Sequence, residues 1–320
     1  MNRLYISNSK LMRRFIVIFV LFISALAGSI CFIMYEADGY SDPYYLKFTT
    51  PKQGSLIIGT SKALQGLNPD PMKEILDKGI YNYAFDISKS PFGPKYLESI
   101  KRKLSSKSRH GIFIITVDCW SIFSKRDDPN DIQNFSENNT CVGEMTVVDQ
   151  FPNFYYLSNY MSGKYYKILS RPAVTLLHDN GWLEVSLDLD SISVARRTKT
   201  TLLEYEKYAE EYRFSKVRLD YLVQTINYLD DFGDVYLVRL PISPQLMQIE
   251  NRLAPNFSNM MQLPVKRSCG FLDLTSKNSL FSYTDGVHLS KESGQIVSIE
   301  IAKWIQKNSD MGNLKTPLNR

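Results

Sequence analysis

The sequence predicts an α/β protein: a three-layer α/β/α domain with a mostly parallel sheet, preceded by one transmembrane helix. Three observations carry that reading. Short runs rich in Ile, Val, Leu and Phe alternate with stretches of helical spacing, the pattern of a parallel sheet covered on both faces. An uncharged run, FIVIFVLFISALAGSICFIM at 15–34, is long enough to cross a hydrocarbon layer ~30 Å thick. With 44% hydrophobic and 22% charged residues over 320 positions, the chain can bury a sizeable core and is neither disordered nor fibrous.

Residues 1–14 place Lys10, Arg13 and Arg14 just before the apolar run, and Glu36, Asp38 and Asp42 follow it. The positive-inside tendency then predicts a cytoplasmic N-terminus at 1–14, a signal anchor at 15–34 and an exported remainder, periplasmic or extracellular. A signal-peptidase site at "ALA" (25–27) is the alternative. An uncleaved anchor is preferred because the apolar run continues to Met34, and Ile30 does not suit a lipoprotein signal at Cys31. Residues 35–52 read as a tether.

The main domain is expected over 53–310. GSLIIGTS (54–61) is a buried strand ending in small residues, followed by helix and loop. IYNYAFD (80–86) and GIFIITVD (111–118) are the second and third strands, with a helix over 94–104 between them. The regularity breaks over about 121–200, a polar and Tyr-rich insertion in which GWLEVSLDLD alternates like an edge strand. A long helix is expected from Thr201 to Asp230. The alternation then resumes with strand 234–241, helix 244–254, strand 269–275, a Gly-containing loop and a helix over 290–308. Residues 311–320 read as a tail.

Charge excludes one class of partner. The net +5 comes largely from four basic residues in the first 34, which contain no acid, so the remainder is nearly balanced and no nucleic acid is expected. Of four cysteines, Cys31 lies in the apolar run. Cys119 and Cys141 flank the insertion and could bridge, with buried free thiols equally compatible. No CxxC or Cys/His cluster suggests a metal, and no Gly-rich loop suggests a phosphate-bearing cofactor.

Ligands of parallel α/β sheets bind beyond the carboxyl ends of the strands. Ser61, Asp118, Arg239 and the loop SYTDGVH at 282–288 all follow strands, so they are expected at that edge. Ser61 suits a nucleophile at a strand-to-helix turn, and equally an ordinary helix cap. Asp285 and His288, three apart in a loop, can face one cleft, the carboxylate fixing the imidazole tautomer. The following Ser290 suits a helix cap, with Ser293 inside the helix. His110, in a basic run, is expected in solvent, and His178 lies in the insertion near Asp179. Tyr155, Tyr156, Tyr160, Tyr165 and Tyr166 are expected to pack rather than to stack on sugars.

The small-residue turn ending in Ser61 and the Asp285-x-x-His288 motif before the last helix together resemble the SGNH (GDSL-type) hydrolase superfamily. GTSKALQGLNP is similar to its membrane-anchored envelope branches, where Gly-[Ser/Thr]-Ser-[Arg/Lys] replaces Gly-Asp-Ser. The resemblance implies a flavodoxin-like sheet, no cofactor, Ser61 as nucleophile, His288 as general base and Asp285 as its orienting partner. It also implies an oxyanion hole from the Ser61 N–H and a group after the second strand, where Ala84 and Asn82 are the candidates. The Asn expected after the third strand is missing from TVDCWS, and Asp118, as an anion, cannot donate in its place. Asp118 and Arg239 remain substrate-binding candidates. The function implied is an esterase or O-acyltransferase acting on an acylated envelope glycan or related ester, with envelope proteins as partners. The alternative is a non-catalytic member used for glycan binding or complex assembly.

Overall fold

The computed structural model describes residues 9–314, apart from 126, 162, 172 and 173. Helix α1 (Ser9–Tyr35) carries the apolar run and is long and apolar enough to cross a membrane. The domain begins with β1 (Leu56–Ile58), α2 (Ser61–Gly66), α3 (Pro69–Leu76), β2 (Tyr81–Asn82), α4 (Pro94–Lys103) and β3 (Gly111–Thr116). A long excursion follows: β4 (Phe123–Lys125), α5 (Cys141–Glu144), α6 (Phe154–Tyr160), α7 (Tyr166–Ser170), β5 (Thr175–Leu177), β6 (Leu183–Val185), α8 (Ser191–Glu211) and β7 (Tyr212–Phe214). The chain then returns through α9 (Lys216–Asp230), β8 (Gly233–Arg239), α10 (Pro244–Leu253), α11 (Phe257–Met260), α12 (Gln262–Lys266), β9 (Gly270–Asp273) and α13 (Lys291–Leu314).

Five strands form one parallel sheet in the order β2-β1-β3-β8-β9. Ile57 pairs with Ile114, and Leu237 sits between Ile115 and Phe271. β1 and β3 are fully buried, as apolar runs without alternation require when both faces are covered. Right-handed crossovers put α2 and α3 on one face, because the chain moves left from β1 to β2. They put α4 and α9 on the other, because it moves right thereafter. The packing of α3 on α13 and of α4 on α9 agrees. The reversal of direction makes the gap between the ends of β1 and β3 the topological switch point, where a crevice opens.

Three expectations need correction. Residues 35–52 are not a tether. Tyr45, Leu46, Lys47 and Phe48 are buried, Phe48 packs its ring on Phe85 and Tyr156, and the Leu177 N–H donates to the Gly39 carbonyl at 2.9 Å. Aromatic residues in that segment cover the β2 side of the core, so the end of α1 is docked on the domain. The helix expected over 201–230 is two helices: Tyr212–Phe214 pairs with Phe123–Lys125 in an antiparallel ribbon, and Ser215 then caps α9 by accepting from the Arg218 N–H. The excursion therefore runs past 200 to Phe214. The alternating stretch 181–190 supplies only Leu183–Val185, paired with β5 in a separate hairpin rather than at an edge of the main sheet.

Candidate active site

Ser61 reaches its place through Gly59. A β-carbon there would fall 1.8 Å from Thr116 Oγ1, so only glycine lets β1 pass the end of β3 so closely. Thr60 stays extended as the N-cap without a side-chain cap bond, and Ser61 opens α2. Its N–H is thus one of the first-turn donors that a helix cannot satisfy internally.

The loop 284–288 is folded by Asp285 itself. One carboxylate oxygen accepts from the Val287 and His288 N–H groups, each at 2.9 Å. Gly286 has φ +89°, a left-handed turn that favours glycine, and its carbonyl accepts from the Ser243 N–H at 2.8 Å. Thr284 closes the turn onto the His288 carbonyl at 2.9 Å, while Arg197 of α8 donates to the Thr284 carbonyl at 2.8 Å. Ser290 caps α13 by accepting from the Ser293 N–H at 3.2 Å. The stretch 282–294 is therefore both a helix start and an acid–base pair.

Across 227 positions of sequence the two segments meet. His288 Nδ1 lies 2.7 Å from the second Asp285 oxygen, and Nε2 lies 2.9 Å from Ser61 Oγ. Burial pushes the Asp285 carboxyl up, but hydrogen bonds and charge from His288 and the N–H of Val287 outweigh it. The net result lies below the usual carboxylate range. An ionised Asp285 holds the proton on Nδ1, which leaves Nε2 to accept the Ser61 hydroxyl proton.

Beside this line lies a buried ionic cluster. Lys62, next to Ser61, places Nζ 2.6 Å from Glu250 and 3.1 Å from Asp118. Glu250 also accepts from the Trp120 indole N–H at 3.0 Å and from Arg239 at 3.3 Å. Burial alone would lower the Lys62 pKa, but the Asp118 and Glu250 charges reverse that and raise it, so the ammonium persists at all ordinary pH. Tyr205 of α8 meets Trp120 edge-on at 4.9 Å and roofs the cluster.

The remaining predicted residues have other employment. Both amide hydrogens of Asn82 go to the carbonyls of Ala63 and Leu67, at 2.8 and 2.9 Å, tying β2 to α2. The Ala84 N–H goes to the Asn82 side-chain oxygen at 3.1 Å. Neither is offered to an oxyanion in this arrangement, because the buried α2 carbonyls need donors and Asn82 supplies them. Asp118 is spent on Lys62 and the Ser121 N–H. Arg239 lies 4.3 Å over the Phe257 ring and pairs with Glu250 and Asp273, with its Nε buried and unpartnered. Substrate contact by either residue would mean giving up a buried ion pair.

His110 is exposed, at φ +57° before β3. His178 stacks on Trp182 and pairs with Glu184 at 2.9 Å. The cysteines are free, and burial pushes the Cys119 thiol far up and that of Cys141 up to about 12. Tyr156 packs inside, whereas Tyr155 and Tyr166 are exposed. Among the described residues no cluster of His, Cys, Asp or Glu is placed to hold a metal ion.

Lys62, Glu250 and Trp120 escaped sequence reasoning as site residues. One signal existed for Glu250: it sits one turn after Leu246 and beside Ile249, a carboxylate on the apolar stripe of α10. A scan of protein-family models and a search of curated proteins find no match, so the geometry of the chain itself carries the functional reading.

Proposed function

We propose that this chain is a membrane-anchored serine ester hydrolase or O-acyltransferase whose domain faces away from the cytoplasm. The carrying observation is the unbroken line from Asp285 through His288 to Ser61, with contacts of 2.7 and 2.9 Å. In the proposed reaction Ser61 Oγ attacks an ester carbonyl while His288 Nε2 takes its proton. The tetrahedral intermediate collapses, the alkoxide leaves with the proton from His288, and an acyl-serine remains. Water, or a hydroxyl of an acceptor, then gives its proton to His288 and attacks the acyl carbon; the second tetrahedral intermediate collapses by breaking the acyl–Ser61 bond, and His288 returns the proton to Ser61 Oγ. Asp285 steadies the imidazolium in both halves. The Ser61 N–H, at the start of α2, faces the negative charge that develops next to it.

Basic residues before α1 and acids after it support export of the domain. An acylated envelope glycan is the substrate class that fits this location and the resemblance to SGNH enzymes. Hydrolysis of acetylated polysaccharide and of short aryl esters by the full chain, lost in Ser61→Ala, is the expected result. No turnover of either, and no acyl transfer to added oligosaccharide, would sink the reading.

A second reading has its own support. With Asn82 and the Ala84 N–H internally satisfied and no Asn after β3, the oxyanion is left with few donors. A non-catalytic envelope protein that binds glycan or assembles a complex would tolerate that loss. It predicts glycan binding undiminished in Ser61→Ala and no acyl-enzyme under any condition.

A further inference from the structure

Large side chains crowd the surface where α1 meets the domain. Phe151, Phe154, Tyr155, Tyr166 and Leu169 are all exposed, Leu169 at 67% and Tyr166 at 63%. Phe154 and Tyr155 point outward from α6, whose Tyr156 and Leu157 face the core. Tyr166 and Leu169 do the same on α7, with Ile168 turned inward. Isolated exposed apolar residues need no explanation, but a group of this size marks a contact surface.

The end of α1 identifies what it contacts. Tyr35, the last residue of that helix, lies edge-on to Phe151 at 5.5 Å. α7 packs against α1, and Arg171, directly after α7, pairs with Asp38 at 3.3 Å. The chain then stays docked on the domain through Gly39 and Leu177. A helix that leaves the bilayer here brings Phe151 and α7 to the same level, and α6 follows Phe151 three residues later in the chain. Lys164 and Lys167 accompany them, with Asp149 the sole acid over 147–171, while the charge of Arg171 is taken up by Asp38.

We infer that this face, formed by α6, α7 and the loop before α6, rests in the headgroup region of the bilayer beside α1. The inference depends on α1 spanning the membrane but not on any catalytic role for Ser61. Aromatic rings and snorkelling lysines are the residues that favour that depth, and short helices with outward apolar faces lie in its plane. The domain is thereby seated on the membrane in one orientation rather than swinging from it.

Tryptophan scanning of the full chain tests this in vesicles of phosphatidylglycerol and brominated phosphatidylcholine. Of the three native tryptophans, Trp120 and Trp182 are buried and Trp304 is half-buried on α13 against Tyr236, so added tryptophans are read as differences from the parent chain. Leu21→Trp reports the anchor, and Tyr155→Trp, Tyr166→Trp and Leu169→Trp report the seated face. Leu280→Trp, exposed after β9 at the far edge of the sheet, is the reference. Brominated lipid should cut the added emission at 155, 166 and 169 by about twofold or more, as at position 21, and leave 280 unchanged. Quenching at 21 with positions 155, 166 and 169 as bright as 280 overturns the seating while the anchor stands. No quenching at 21 removes the anchor, and the proposal falls with it.

Discussion

Replacing Lys62 by Met removes the hub of the buried cluster without leaving a hole. Asp118 then loses its lysine partner at 3.1 Å and keeps the Ser121 N–H at 2.9 Å. Glu250 fares better, because the Trp120 indole at 3.0 Å and Arg239 at 3.3 Å remain. Stripping one partner from a buried ion pair costs about 3–5 kcal/mol. With Glu250 still served, the lower end, about 3 kcal/mol, applies. For a domain of this size that shifts the unfolding midpoint down by about 6–12 °C. The shift is read by heating the full chain in detergent micelles and following tryptophan emission, to which Trp120 contributes from inside the cluster. Neutralising the stranded carboxylate should recover part of the loss, so Lys62→Met/Asp118→Asn should unfold above the temperature expected by adding the two single effects. A Lys62→Met midpoint within about 1 °C of the parent, or strictly additive losses in the double variant, would refute the cluster's energetic role.

Four other outcomes follow from the structure. Asp285→Asn should lower ester turnover by about 10³–10⁴ while Ser61 and His288 remain paired. Because the Asp285 carboxyl is held below the usual range, its stabilisation is complete above that range and lost as pH falls through the lowered value; acid unfolding of Asp285→Asn should lack that component. Gly286→Ala puts a β-carbon at φ +89° and 3.1 Å from Leu246, Ser243 and Thr198, so it should destabilise by about 1–3 kcal/mol and cut turnover by displacing His288; unchanged turnover would contradict the turn's role. Burial pushes the Lys103 ammonium down to about 7, with its Nζ donating to the Thr50 and Val148 carbonyls. The unfolded chain binds that proton more readily above pH 7, so the parent should gain on Lys103→Met by up to ~1.4 kcal/mol per pH unit there, and equal slopes in denaturant titrations would refute it.

Local pattern carried much of the fold. The apolar runs at β1, β3 and β8 have no other use than strands buried on both faces, and the helices over 94–104 and 244–254 end within a residue of their expected limits. What failed depended on distant contacts. Nothing within 201–230 shows that Tyr212–Phe214 will leave the helix, because its partner is Phe123–Lys125. The segment 35–52 reads as a linker until Phe48 finds Tyr156. At the site, Ser61, Asp285 and His288 carried legible motifs. Lys62 and Glu250 lie 188 positions apart, and only the fold gives either a reason to be charged.

The most direct test of the serine–histidine site is covalent. A fluorophosphonate probe should modify the full chain in membranes at a single residue, located by peptide mass spectrometry as Ser61. Labelling should vanish in Ser61→Ala, fall by about 10³ or more in His288→Ala, and leave His110→Ala and His178→Ala at the parental rate. A parent chain that never labels, or an adduct that persists on another residue in Ser61→Ala, would contradict the account.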